Sequence, residues 1–312
     1  MGMISARRWI AADFGGPEAL RCVEADLPDP APGQVTIDVR GCGMNPADAK
    51  HIAPGQDRSL LPLTLGFEVS GVVSAAGAGA GAGLAIGDEV VAEVSGGYTT
   101  AITVPAPDVQ LKPPTLAFAE AACLLLSGTT AAELLHVSLA GPGDTVLLHG
   151  GAGAVGMSAL QQARKLGVRV IATAGPDGFE LVRGFGGVPV AYGPGLRERV
   201  LAAAPEGVVA ALDTVGSPEA GDVSLALVKD RSRVVTIADA PRAKADGYVF
   251  IGASNPASGP YRVGARPRVI AMAADGDLVV PMAASFAFED APAAFALLTR
   301  PHAPGKIALV RG

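Results

Sequence analysis

Residues 145–156, Thr145-Val-Leu-Leu-His-Gly-Gly-Ala-Gly-Ala-Val-Gly156, run from a short apolar strand straight into a glycine-rich turn. Gly151, Gly153 and Gly156 form the pattern Gly-x-Gly-x-x-Gly. Each position asks for a small residue. Gly151 permits the tight turn, Gly153 lets a pyrophosphate approach the backbone, and Gly156 lets the next helix close onto the strand. The free N–H groups at the start of the next helix would then face the phosphates from a helix N-terminus, which carries partial positive charge. In a chain with 41 glycines the pattern alone is a weak signal, and a plain strand–helix turn is the competing reading. The context adds weight, because a strand leads in and a helix leads out.

From residue 141 onward the pattern alternates. Strands are expected at 145–149, 169–173, 188–192, 208–213 and 233–238, and helices at 155–166, 179–185, 196–203 and 219–228. Alternation of this kind implies a parallel sheet, doubly wound, with helices on both faces. A helix at 267–274 and a strand at 306–310 close the chain. The first third has another texture. Residues 35–40 alternate apolar and polar with period two, and 69–73, 89–94 and 100–104 are further strand candidates. Residues 75–83 read as a Gly/Ala hairpin loop, and 117–137 as helical with a break at Ser127-Gly128.

The chain has 312 residues, which favours two domains. It is 49% hydrophobic, too apolar for a disordered chain. The net charge is −6 and basic residues do not cluster densely, which argues against nucleic acid as a partner. Three scattered cysteines (Cys22, Cys42, Cys123) suit neither a disulfide framework nor a four-thiolate zinc site, so a reducing, cytoplasmic location is expected. The N-terminus lacks the apolar core of a signal peptide, and the apolar run 119–126 is too short to span a bilayer, so no membrane association is expected.

The end of the second strand of the alternating region bears on the cofactor. An NAD site usually places Asp or Glu there to take the ribose hydroxyls. Here the strand ends Thr173-Ala174-Gly175 with no acid, which leaves room for a 2′-phosphate and favours NADPH. Asp177, two residues on, counts in the other direction.

Eight segments in register carry a resemblance. They are Phe14-Gly-Gly-Pro-Glu-Ala-Leu20, Gly43-Met-Asn-Pro-Ala-Asp48, Leu65-Gly-Phe-Glu-Val-Ser-Gly-Val-Val73, Gly87-Asp-Glu-Val90, Ser127-Gly-Thr-Thr-Ala131, the glycine turn, Asp213-Thr-Val-Gly216 and Gly305-Lys306. With them the chain resembles, over nearly its whole length, the zinc-independent quinone oxidoreductases of the medium-chain dehydrogenase/reductase superfamily, the zeta-crystallin-like branch. The resemblance implies an α/β fold: a GroES-like β-barrel domain (residues 1–120 and 263–312) plus a Rossmann doubly wound parallel-sheet domain (residues 121–262). It implies an active site in the cleft between them. It also implies a homodimer paired through edge strands near residues 248–252.

Metal-dependent relatives place a Cys and a His zinc ligand where this chain has Asn45 and Phe67, and Phe67 cannot ligate. No metal is therefore expected. Without it, the implied chemistry is hydride transfer to a flat, electron-poor acceptor, a quinone or an α,β-unsaturated carbonyl, by positioning and exclusion of water.

The resemblance assigns residues by position. Asn45 would bond to the substrate carbonyl or the nicotinamide region. Lys50 or His51 would donate a proton, histidine because it titrates near neutrality. Ala154 and Val155 would donate backbone N–H to the pyrophosphate, and Thr130 would contact the nicotinamide or a phosphate. Thr173, Ala174 and Tyr192 would line the adenosine phosphate pocket. Val215 and Gly216 would lie under the adenine or its ribose, Phe250, Ile251 and Gly252 near the nicotinamide, and Lys306 near the phosphates. Two other functions compete. One is an enoyl-thioester reductase, with Arg262, Arg266 and Arg268 as a patch for a pantetheine phosphate. The other is a non-catalytic NADPH-binding protein.

Overall fold

The computed structural model describes residues 3–80, 83–252 and 254–312. Gly81 and Ala82, part of the expected 75–83 loop, lie outside the described residues. The chain divides into two compact units, Met1–Leu126 with Val280–Gly312, and Ser127–Val279.

The first stretch contains β1 (Met3–Ala11), β2 (Leu20–Pro28), β3 (Gln34–Met44), α1 (Pro46–His51), β4 (Leu63–Thr64) and β5 (Glu68–Ala76). It continues with β6 (Glu89–Glu93), β7 (Ala101–Pro105), β8 (Val109–Leu111) and α2 (Phe118–Ala121). The chain enters the second unit within α3 (Leu125–Val137). There follow β9 (Thr145–His149), α4 (Ala154–Lys165), β10 (Arg169–Ala174), α5 (Phe179–Gly184), β11 (Val188–Ala191) and α6 (Leu196–Ala203). Then come β12 (Ala210–Asp213), α7 (Pro218–Leu227), β13 (Val234–Thr236), α8 (Ala240–Asp246), β14 (Val249–Phe250) and α9 (Ser258–Ala274). The first unit is completed by β15 (Met282–Ala287), α10 (Ala291–Leu298) and β16 (Lys306–Val310).

In the first unit one sheet runs β15-β16-β3-β5-β6-β8, with β7 also on β3, and a smaller one runs β2-β1-β4. Glycines let β3 and β5 approach α2 and each other, and the enclosed core holds Val35, Ile37, Val69, Val90, Phe288, Phe295 and Leu309. The β1–β2 hairpin is not anticipated by the sequence pattern. Its pairing runs unbroken from Met3↔Pro28 to Ala11↔Leu20. Arginines at 7 and 8 obscure its alternation; Arg7 pairs with Glu289 and lies over the Phe288 ring.

The second unit is a single parallel sheet of order β11-β10-β9-β12-β13-β14. Successive residues of its strands feed opposite faces. Val146 and Leu148 pack with Leu134 and Leu160 of α3 and α4, whereas Leu147 and Ile171 pack with Leu196, Val200 and Val223 of α6 and α7. Burial on both faces explains the continuous apolar strands.

Two boundaries need correction. The second unit spans 127–279 rather than 121–262, because α9 begins at Ser258 instead of Pro267 and belongs to it. Pro267 lies inside this helix, whose buried face (Ala265, Val269, Met272, Ala273) outweighs the lost N–H. The helical break falls at residues 122–124, and Ser127 and Gly128 are helical. Glycine is needed at 128 for contact, since a Cβ there would meet Val269 Cγ1 of α9 at 2.6 Å.

Candidate active site

Sheet order reverses between β9 and β12, where a doubly wound sheet opens a crevice at its carboxyl edge. The glycine turn is at that point. Gly151 N–H donates to Thr173 O at 2.8 Å, Gly153 N–H donates to Gly150 O at 3.0 Å, and Gly153 is the residue before α4. The turn is too tight for side chains: a Cβ on Gly156 would stand 2.1 Å from Gly150 O, and one on Gly151 2.7 Å from Ala172 Cβ. The first intrahelical bond is Met157 N–H to Gly153 O. The N–H groups of residues 154–156 precede it and have no acceptor in the helix. This small cradle, walled by backbone donors, fits a pyrophosphate.

The loops beside it are tied to it. Buried Asp213 accepts Val215 N–H (2.9 Å) and Gly216 N–H (3.0 Å) on Oδ1 and the Thr236 hydroxyl (2.8 Å) on Oδ2. Thr214 Oγ1 donates to His149 O at 2.7 Å. The backbone donors of Val215 and Gly216 are therefore committed, and what Val215 offers is its side chain, 53% exposed. Thr173 likewise has a structural task, its hydroxyl accepting Gly150 N–H at 3.0 Å and so bracing the turn. Ala174 is buried. Tyr192, 64% exposed, reaches the neighbouring loop; a Cβ on Gly175 would stand 3.5 Å from its hydroxyl. Asp177 is exposed on that same loop.

At the far edge, the side chain of Ile251 is in the core, so only its backbone can meet a ligand. Phe250 covers Gly252, where a Cβ would meet the ring at 3.0 Å. Gly252 N–H donates to Ser258 Oγ at 3.1 Å, Ser258 donates to Glu133, and Arg262 Nε donates to Glu133 at 2.6 Å. Glu133 and Ser258 anchor this loop and escape a reading of the sequence, since they stand more than a hundred residues apart. Thr130 is buried within α3.

His149, at the end of β9, is buried with Nε2 3.1 Å from Ser224 Oγ. Burial pushes its pKa down to about 4, against the pull of Asp213 and Glu219. An unfolded histidine titrates near 6.5, so the unfolded chain takes up a proton that the folded chain refuses. Stability is expected to fall by about 3 kcal/mol as pH drops from about 6.5 through about 4, and His149→Gln to flatten that loss. Urea titrations across this range read it; an unchanged slope in the variant would refute it.

In the first unit Asn45 precedes α1 as its N-cap, with Pro46 and Asp48 completing a capping arrangement in which Asn45 N–H donates to Asp48 Oδ2 at 2.7 Å. Tyr98 Oη donates to the same oxygen at 2.9 Å. Burial raises the Asp48 carboxyl to about 7. Asn45 Nδ2 donates to Glu68 Oε1 at 3.0 Å. Lys306 was expected beside phosphates, but its ammonium points inward, donating to Asn45 Oδ1 at 2.5 Å and Glu68 Oε1 at 2.9 Å. Burial would lower the Lys306 pKa; the Glu68 carboxylate overrides this and raises it. Lys50 is exposed at the end of α1, and His51 meets the Phe67 ring edge-on at 5.8 Å. Cys42 and Cys123 are buried, their thiols raised to about 12 by burial, and so unreactive. Among the described residues no cluster of three or more His, Cys, Asp or Glu is placed to hold a metal ion. Nor is any helix among them long and apolar enough to cross a membrane.

The alcohol dehydrogenase GroES-like domain matches residues 31–210, and the zinc-binding dehydrogenase domain matches residues 195–309. The quinone oxidoreductase of Sus scrofa is 37% identical over 171 residues, 53% of this chain and 51% of that protein. The synaptic vesicle membrane protein VAT-1 homolog of Rattus norvegicus is 36% identical over 235 residues, 73% of this chain and 58% of that one. The matches thus span little more than half the length of these relatives. Among solved structures, CurK enoyl reductase superposes with a TM-score of 0.86 at 25% identity, covering 98% of this chain and 99% of that one. A mycobacterial protein solved as a complex with NADPH gives 0.84 at 29% identity, covering 98% and 100%. With the glycine turn, the sheet order and the two domain matches in agreement, the chain belongs to the medium-chain dehydrogenase/reductase family.

Proposed function

We propose that the chain is an NADPH-dependent reductase of quinones or α,β-unsaturated carbonyls. The observation that carries this is the glycine cradle at the switch point of the second unit, which a single Cβ would fill. The cofactor, when bound, supplies hydride. Ala154 and Val155 would hold its pyrophosphate through backbone N–H groups, and Gly151, Gly153 and Gly156 make room for it. Tyr192 and Ala174 border the ribose position, and Val215 offers an apolar surface to the adenine. The backbone of 250–252, pinned through Ser258 and Glu133, faces the nicotinamide end. Asp177 opposes a 2′-phosphate, so NADPH preference depends on its carboxylate pointing into solvent. A cytoplasmic homodimer completes this reading, since β14 is one of the two edge strands of the sheet.

The likeness to CurK enoyl reductase favours a second reading, an enoyl-thioester reductase. Its expected phosphate patch is weakened: Arg262 is paired with buried Glu133 and Arg266 is itself buried. The test follows nicotinamide absorbance with NADPH or NADH against quinones, enones and enoyl thioesters. Oxidation of NADPH with quinones or simple enones is expected. Turnover of thioesters alone selects the second reading, and binding without any turnover leaves a binding protein. Activity with NADH alone would place Asp177 on the ribose.

A further inference from the structure

A phosphate monoester carries a charge of about −1.5 to −2 at pH 7, so a 2′-phosphate on the cofactor's ribose needs a cation beside it. In the second unit β10 ends Thr173-Ala174-Gly175 without a base, and Asp177 is exposed on the loop that follows. The cation has to come from another element of this unit.

The next strand and its helix supply one. β11 pairs in parallel with β10, Ala174 opposite Ala191, so the loops that leave the two strands lie side by side. Tyr192 spans them: a Cβ on Gly175 would stand 3.5 Å from its hydroxyl and 3.8 Å from its ring. Arg199, in the first turn of α6, grips the Tyr192 loop with three bonds. Its Nε donates to Ala191 O at 2.9 Å, Nη2 to Gly193 O at 2.7 Å and Nη1 to Pro194 O at 2.8 Å. The guanidinium is thus bonded to both residues that flank Tyr192. Glu219 of α7 accepts Gly193 N–H at 2.9 Å, so the loop is held from two helices.

Carbonyl groups are neutral, so these bonds fix the guanidinium without cancelling its charge. Among the described residues its partners are these carbonyls, and no carboxylate forms an ion pair with it. A guanidinium has five N–H groups. Three are used and two remain, on a side chain that is only half-buried. A fixed charged fork with spare donors suits phosphate oxygens. Arg197 is exposed on the same helix and, among the described residues, has no bond to this loop.

We infer that Arg199 is the specificity-determining residue for the cofactor's 2′-phosphate, supplying the positive charge that the end of β10 lacks. This rests on the proposed NADPH-dependent function and lies wholly within the second unit. Arg199 offsets the Asp177 carboxylate and gives the phosphate two N–H donors. The ribose of NADH has a neutral hydroxyl at the same place and gains little from a cation. Arg199 therefore sets the choice between the two cofactors and leaves hydride transfer itself alone.

The test is fluorescence titration of NADPH and NADH into wild type, Arg199→Gln, Arg199→Lys and Arg197→Gln. In Arg199→Gln the NADPH Kd should rise about tenfold or more, the loss expected for hydrogen bonds to a charged group. Its NADH Kd should stay at the wild-type value. Arg199→Lys keeps the charge and should keep most of the NADPH preference. Arg197→Gln removes the same charge two residues away and should bind both cofactors as wild type does. Equal weakening of both cofactors in Arg199→Gln would show that Arg199 only holds the loop, and an unchanged ratio of the two would equally overturn the inference. Should Arg199→Gln fail to fold, competition in the wild-type protein decides: adenosine 2′,5′-bisphosphate is expected to bind more tightly than 5′-AMP, and equal affinity overturns the site. A wild-type protein that binds NADPH tightly but reduces no quinone or enone would overturn the reductase function and leave the role of Arg199 standing. A wild-type preference for NADH would overturn the NADPH assignment and that role together.

Discussion

Gly156→Val should weaken NADPH binding about a hundredfold, or ~3 kcal/mol. The reason is local. A Cβ at 156 would lie 2.1 Å from Gly150 O and 2.9 Å from Gly151 Cα, both backbone atoms of the turn. No side-chain rotation relieves that contact, so either α4 backs away from β9 or the turn opens. Each response moves the N–H groups of residues 154–156, which are the proposed phosphate donors. Gly184→Ala is the matched control. It lies in α5 of the same unit, and its added methyl meets nothing within 4 Å. The control should bind as wild type does and be slightly more stable, as expected for alanine in a helix. Fluorescence titration with NADPH reads the affinities, and circular dichroism confirms that both variants fold. Wild-type affinity in a folded Gly156→Val protein would show that the turn does not hold the cofactor.

Why the turn is legible in the sequence and other features are not follows from the range of the forces involved. Gly151, Gly153 and Gly156 are constrained by atoms within a few residues or on the adjacent strand, so spacing alone identifies them. The start of α1 at Asn45, Pro46 and Asp48 is equally local, yet no helix is expected there from the sequence. Strands β9 and β10 are apolar enough to be read within a residue of their ends. Pro267, by contrast, has the local signature of a helix start and lies mid-helix, because burial of Val269 and Met272 is a tertiary effect. Thr173 is legible as a strand end but not as the brace for Gly150, which depends on a partner 23 residues away. Lys306 shows the limit most clearly. The resemblance implies a phosphate contact for it. Its real partners are 261 and 238 residues distant, and nothing local marks them. Glu68 stands within a recognised segment yet shows no role there, for the same reason.

The Lys306–Glu68 pair carries the other large expected effect. Lys306→Met should destabilise the first unit by about 3–5 kcal/mol, because it strands the Glu68 carboxylate in the interior. Glu68→Gln alone should cost a similar amount by stranding the ammonium. The double variant Lys306→Met with Glu68→Gln should recover most of the loss, since no charge is left unpaired and the introduced amide carbonyl still accepts from Asn45 or Leu126. Trp9 makes the measurement specific. It is the sole tryptophan of the chain, packs on the first unit's core and donates from its indole to Phe288 O at 2.9 Å. Its fluorescence in urea therefore follows this unit even if the other unfolds separately. Additive single losses with no recovery in the double variant would mean that the two side chains stabilise the unit independently.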